Sequence, residues 1–283
     1  MKIIFTLLAI FIYLPIFGQE TDMRPDQILF DEALDIYYDE EYDSALVKFK
    51  QFAEKYPKSP LFPRAKYNIG YILRDLDRDD EAILVFEEIL ASDFTEKDEA
   101  GGLMEQYTLY KHRSASHLAE IYLNAKDFEK AEKYIKLFDK KYEYKHFGGN
   151  EMMASRLYTA ESYAKLYHGQ GKTKKAINQL LPYMFDNGLT SNQSIIETLT
   201  VVLEEQYSKE ELKEIIGNAY ESLNIKDEDN ASIKFLGKKI EVLDYSLFAI
   251  GNPEFKENLE LNNQEKWQKV IRTHPLFEKY LEK

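Results

Sequence analysis

Three parts of the chain hold side chains that could do chemistry. GQGKT, residues 169–173, has the glycines and the lysine of a loop that wraps a phosphate. Such a loop also needs a glycine five residues before Gly171, so that backbone N–H groups can cradle the anion. Leu166 stands there, inside a helical pattern. DLDRDDE, residues 75–81, alternates carboxylates in the manner of a calcium loop. That loop wants Gly at its sixth position and Glu at its twelfth, and Asp80 and Phe86 occupy them. Acidic residues at a helix start explain the run equally well. The histidines are His112, His117, His146, His168 and His274. None forms an H-E-x-x-H pair or sits beside a serine in a nucleophile-elbow context, so solvated or packing roles are expected. The chain has no Cys, which removes disulfides, thiolate metal sites and cysteine nucleophiles. No cofactor or metal is expected, and the lack of a catalytic constellation argues against an enzyme. Asn192-Gln193-Ser194 and Asn230-Ala231-Ser232 match a glycosylation pattern and are read as turns.

What remains is chemistry of binding. At about 100° per residue, Arg64, Tyr67, Tyr71 and Arg74 fall within a stripe about 80° wide. Ala65, Ile69, Ile72, Leu73 and Leu76 form a separate, apolar sector of the same helix. Packing demands the second group and not the first. Tyr and Arg are the residue types that dominate binding hot spots.

The helices carrying this stripe repeat. In YDSALVKFKQFAEKYPKSP, residues 42–60, Ala45 is followed by Phe49, Phe52 and Pro57, and Ala33 stands twelve residues before it. Ala82 has Gly70 twelve before and Phe86 and Ile89 four and seven after. Ala131 has Ala119, Ile135 and Phe138 at these offsets, and Ala176 has Ala164, Leu180 and Tyr183. A small pair twelve apart lets two antiparallel helices approach around a short turn. Residues at i, i+4 and i+7 share one helix face. Pro57 ends its unit because proline cannot continue a helix. A single hairpin cannot cover its own apolar face, so hairpins stack.

This pattern resembles the tetratricopeptide repeat, with about four units over residues 26–186. EEYDSALVKFKQFAEKYP and NIGYILRDLDRDDEAILVFEEIL resemble it best, and they are similar to periplasmic repeats of envelope-assembly proteins. No unit carries the family's Trp, and Phe94 stands where the second unit would have Pro. The resemblance implies an all-α, right-handed solenoid whose first helices line a concave groove. Matching groove positions are Tyr158, Glu161, Lys165 and His168 in the fourth unit, and Arg113, Ser116 and Glu120 in the third. The partner-binding set is thus Arg64, Tyr67, Tyr71, Arg74, Arg113, Tyr158, Lys165 and His168. The arginines suit a protein or peptide partner that interleaves acidic and apolar residues.

Residues 187–225 read as a further helical hairpin, with Ser208 and Glu211 as a capping box. In ASIKFLGKKIEVLDYS, Ile233, Phe235, Ile240 and Val242 alternate with polar residues. That predicts a β-hairpin turning at Gly237-Lys238, of type II′ because Gly comes first. Residues 226–283 hold this hairpin and terminal helices, broken before Pro275, that cap the solenoid.

The first 19 residues, MKIIFTLLAIFIYLPIFGQ, read as a signal peptide cleaved after Gly18 or Gln19. The apolar run Ile3–Phe17 is short of the roughly 20 residues a membrane span needs. A periplasmic location without a lipid anchor is therefore expected, with membrane contact only through a complex. Removing Lys2 takes the net charge from −13 to −14. An acidic chain repels phosphate backbones, so nucleic acid is a poor partner. The leading expectation is a non-enzymatic scaffold in the cell envelope. The alternative is a ligand- or substrate-binding module with a pocket between the repeats and the C-terminal region; a third reading is an exported hydrolase.

Overall fold

The computed structural model describes residues 24–95, 108–146, 148–185, 190–228, 230–243 and 261–281. The leader expected at 1–19 lies outside them. Eight helices come first: α1 (Pro25–Tyr38), α2 (Tyr42–Lys55), α3 (Phe62–Asp75), α4 (Asp79–Ala91), α5 (Tyr110–Asn124), α6 (Phe128–Lys136), α7 (Gly149–Gly169) and α8 (Thr173–Leu180). A π-helical turn, Leu137–Lys141, prolongs α6, and a 3₁₀ turn, Leu181–Tyr183, prolongs α8. The helices pair as four hairpins, and each hairpin packs on the next. Among the described residues, no helix is long and apolar enough to cross a membrane.

The small pairs are where helix meets helix. Ala33, Ala45, Ala82, Ala119, Ala131, Ala164 and Ala176 are fully buried, and Gly70 is buried with them. Gly70 makes room for a ring rather than for Ala82. A Cβ placed there would lie 2.7 Å from Cε1 of Phe86, the large residue four positions after Ala82. Backbone geometry repeats as strictly as packing. Each hairpin turns through three residues whose middle member is left-handed: Glu40 (φ 62°), Asp77 (φ 55°), Lys126 (φ 57°) and Gly171 (φ 72°). Each lies five residues before its reference alanine. In the second hairpin the Asp77 N–H donates to the Arg74 carbonyl and the Arg78 N–H to Leu73, satisfying carbonyls that the helix end would orphan. GQGKT is therefore a helix-to-helix turn, and DLDRDDE contains another.

After α8 the architecture changes. α9 (Gln193–Gln206) packs on α7 and α8, and α10 (Lys209–Glu221) starts at the Ser208–Glu211 capping box. The two were expected to form a hairpin. They touch sparsely, because α10 buries its apolar face on a small sheet. β1 (Asn224–Ile225), β2 (Ala231–Phe235) and β3 (Lys238–Val242) form this sheet, antiparallel in the order β1-β2-β3. The sheet so begins before residue 226, and the other regular elements among the described residues are helical. Ile233, Phe235, Ile240 and Val242 are buried. Phe235 pairs with Lys238, so the turn is Leu236-Gly237, one residue earlier than expected. Both have positive φ, at 49° and 76°, which is a type I′ turn rather than II′. α11 (Asn263–Thr273) and α12 (Pro275–Tyr280) follow.

Two cores result. One runs from Phe30 to Phe138 through α1–α6. The other joins α7–α10, the sheet and α11–α12 around Trp267, Phe235 and Phe277. α7 belongs to both: Leu166 faces the first, and Leu157, Ala160 and Ala164 face the second.

Candidate functional site

The residues of the expected groove stand on α3, α5 and α7, and most of them meet across successive helices. Tyr37 of α1 donates its hydroxyl to Asp75 at 3.2 Å. Tyr67 and His117 join α3 to α5 at 3.0 Å, and Arg74 reaches Glu120 at 3.3 Å. The Tyr158 hydroxyl donates to the Ser116 carbonyl at 3.3 Å, joining α7 to α5. Thr198 of α9 donates to Glu161 at 3.3 Å, and His168 meets Glu205 of α9 at 2.9 Å. The stripe is a ladder of polar rungs along the inner helices.

This changes what several residues can offer a ligand. Tyr67 is not an open ring. It packs against Phe86 and Tyr110, and burial pushes its phenol up to about 12. Arg74 is already paired with Asp79 at 3.2 Å and with Glu120. Lys165 pairs with Glu161 at 2.7 Å. Arg64 and Arg113 are exposed, and among the described residues neither makes an ion pair. The Arg64 guanidinium lies over the Phe30 ring, 5.5 Å from its centre. Tyr71 and Tyr158 are each 37% exposed. Burial of its hydroxyl raises the Tyr158 pKa, with Glu120 adding to the shift.

His117 is the hub of the ladder, and it is not among the residues expected from the stripe. Its ring stacks on Phe86 with centroids 4.9 Å apart, and Tyr71 meets it edge-on at 5.5 Å. Arg74 can only donate, so Nδ1 accepts from it at 3.4 Å. The proton then sits on Nε2, which donates to the Tyr67 oxygen. Burial, with Arg74 beside it, holds the imidazole neutral and lowers its pKa to about 4. The signal was available: His117 is four residues after Arg113 and three before Glu120, on the same face.

At the N-terminal end of the ladder lies a cleft of about 230 Å³ between α1 and α3. Tyr37, Tyr38, Tyr67 and Tyr71 wall it, with Arg64 and Asn68 at its edge. Tyr38 is 70% exposed, which is unusual for so large an aromatic side chain. Tyr38 lies outside the expected set because helical phase marks the stripe only on later helices.

The pairing of hairpins, the buried small residues and the fixed turn describe one repeating unit. A family model described as "Tetratricopeptide repeat" matches residues 63–95, which span α3 and α4. Residues 63–95 are therefore similar to a tetratricopeptide repeat. Among solved structures, the chain is similar to one titled "MamA RS-1 ArsTM double mutant". The two are 14% identical, the likeness covers 66% of this chain and 97% of that one, and the TM-score is 0.40. No curated protein matches.

A second cleft bears on the alternative reading. It holds about 470 Å³ between α8, the end of α9 and the hairpin tip. Ile177, Leu181, Tyr207 and Leu236 contribute its apolar surface, with Lys174 and Lys238 among the polar lining. It lies between the repeats and the C-terminal sheet, where that reading placed a pocket.

Proposed function

We propose that this chain is an exported tetratricopeptide-repeat interaction scaffold whose inner helices hold a segment of a protein partner. The observation that carries this is the tyrosine cleft between α1 and α3. It joins open aromatic area at Tyr38 and Tyr71 to an arginine, Arg64, that has no acidic partner among the described residues. Rigid rings supply contact area at little entropic cost, and a guanidinium takes a carboxylate in a bidentate fork. A segment interleaving apolar and acidic residues fits both. Arg113 extends the basic character toward α5, while the surrounding acidic surface disfavours basic partners. Support for export comes from the leader-like residues 1–19, and a periplasmic site of action follows from it.

Photo-crosslinking tests the reading. A photoreactive residue at position 71 should yield a discrete adduct in extracts of the source cell, and one at the exposed outer position Leu84 should not. Tyr38→Ala with Tyr71→Ala should weaken capture of that partner about tenfold, as loss of a hot spot does, with helicity unchanged. Adducts at position 84 alone would move the interaction off the inner face. Native protein that begins at Met1 would end the export reading.

A further inference from the structure

A third cleft lies away from the groove. It holds about 480 Å³, between the π-helical turn after α6, one face of α7 and the end of α8. Ligand pockets commonly hold about 300–1,000 Å³. Arg156, Thr159, Tyr163 and Tyr167 line it from α7. At about 100° per residue they share one face of that helix, opposite Tyr158, Lys165 and His168 of the ladder. Nothing bound in the groove covers this cleft.

Its lining has an unusual composition. Four tyrosines, Tyr144, Tyr163, Tyr167 and Tyr183, contribute ring surface. Tyr163 and Tyr167 lie nearly parallel, with ring centroids 6.0 Å apart at 23°. The charged lining residues are Arg156, Lys140, Asp139 and Glu143, so the charges balance. A net anion or cation gains nothing there over solvent. Planar groups with two hydrogen-bonding atoms stand at the edges: Arg156, Asp139, Glu143 and Gln179. Among the described residues Arg156, Glu143 and Gln179 make no hydrogen bond or ion pair. Asp139 accepts from the Tyr163 hydroxyl at 2.9 Å and pairs with Lys140 at 3.1 Å, both on Oδ2, which leaves Oδ1 for a ligand. The π-helical turn, Leu137–Lys141, brings Asp139 and Lys140 to the cleft. Such turns are rare, and they often occur at functional sites.

Flat rings, paired donors and acceptors, and zero net charge describe one ligand class. We propose that this cleft is a second binding site, for a neutral saccharide. The C–H face of a sugar ring lies on Tyr163 and Tyr167, burying apolar area against a ring face. Vicinal hydroxyls meet the planar edges of Arg156, Glu143 and Gln179, each able to take two neighbouring hydroxyls, and Oδ1 of Asp139 accepts from one more. A charged sugar would meet one like-charged pair whichever sign it carried.

Calorimetry on the full chain tests this with chitotetraose, cellotetraose and maltotetraose as neutral probes, and tetragalacturonate as the charged one. At least one neutral probe should bind with a Kd of about 1 mM or tighter. Arg156→Ala and Gln179→Ala should each weaken it about tenfold, because neither side chain has an internal partner to lose. Their circular dichroism and melting should match the parent chain. Tyr71→Ala, in the groove, should leave saccharide binding unchanged. The proposal is overturned if no neutral probe binds, if binding survives both substitutions, or if tetragalacturonate binds more tightly than every neutral probe. It is equally overturned if Arg156→Ala abolishes capture of the protein partner, since the cleft would then belong to a protein interface. Failure of the groove reading alone would show in the Tyr38 and Tyr71 variants and leave the saccharide result standing.

Discussion

The two ends of the chain solve the same problem by different means. Residues 25–141 use one device three times: a small pair, a left-handed turn residue and large residues four and seven later. Contacts there run between neighbours in sequence. The described residues of 190–281 do not repeat that device. Two strand pairs, two capping boxes and a helix-breaking proline come together there. The Met184 carbonyl is one such junction. It accepts from Asn192 at 3.0 Å and from His274 Nε2 at 2.9 Å, tying α8 to α9 and α12. Repetition makes the first region modular. Convergence should make the second cooperative.

The largest expected effect comes from removing the centre of the second core. Trp267 is 2% exposed, and its indole N–H has no hydrogen-bond partner among the described residues, so it contributes by packing. Trp267→Ala should cost about 3–5 kcal/mol. Hydrogen exchange should show protection lost through α10, the sheet, α11 and α12, while α2 to α4 keep theirs. Loss of protection in α2 to α4 as well would mean that α7 couples the cores into one unit.

Acid should act on both regions through buried histidines, chiefly His117 and His274; burial also lowers the pKa of His112 in the repeat region. His117 and His274 are both held near a pKa of about 4, below the ordinary 6.5, and burial is the first cause in both. The tautomer is the same too, because Nδ1 of His274 accepts from the Leu276 N–H at 3.3 Å. The unfolded ring takes a proton as pH falls below about 6.5, and the folded ring refuses it until about 4. Stability is therefore full above the unfolded value and falls through this window. Each histidine should remove about 2 kcal/mol between pH 7 and pH 5. Urea unfolding at the two pH values checks this. His117→Gln should flatten the pH dependence of the repeat region, and His274→Gln that of the C-terminal region. An unchanged slope in either variant would locate the titration elsewhere.

Glycine sharpens the contrast, because one residue type should respond with opposite sign. Gly70 faces Phe86 at 2.7 Å from a Cβ position, and Gly217 of α10 has open space there. Gly70→Leu should destabilise the α3–α4 hairpin by about 1–3 kcal/mol through overpacking. Gly217→Ala should stabilise by up to about 1 kcal/mol, since alanine loses less entropy in a helix. Thermal melts decide both. A neutral Gly70→Leu would break the claim that this close approach sets the hairpin.

The alanine pairs and the large residues were legible because helix geometry fixes their spacing. Ile233, Phe235, Ile240 and Val242 were legible for the same reason, at the period of a strand. Three things were not. Tyr67 reads as surface by phase, but the third hairpin leans on it through Tyr110 and His117. Arg74 reads as free until its acids, one on the next helix, are in place. α10 reads as the return arm of a hairpin, because periodicity shows which face is apolar and not what will cover it. Each miss depended on a neighbouring element that periodicity within one helix does not record.

The smallest effect concerns the turns. Glu40, Asp77 and Lys126 hold a left-handed conformation that disfavours residues bearing a Cβ, and only Gly171 meets it without strain. No residue type marks these positions, so the offset of five before the reference alanine is their signal. Asp77→Gly and Lys126→Gly should each gain up to about 1 kcal/mol, which is the strain released less the freedom glycine adds to the unfolded chain. Gly171→Ala should lose a similar amount. Leu236 has the same backbone sign in the β-hairpin but lies in the C-terminal cleft beside Tyr207, half-buried. Leu236→Gly removes strain and apolar contact together, so its gain should vanish or reverse. Melts of the four variants compare a repeated turn with a unique one. Gain at Asp77 and Lys126 with none at Leu236 supports the distinction between the two ends. Equal gains at all three would show that backbone strain alone governs these turns and that the hairpin tip contributes no packing.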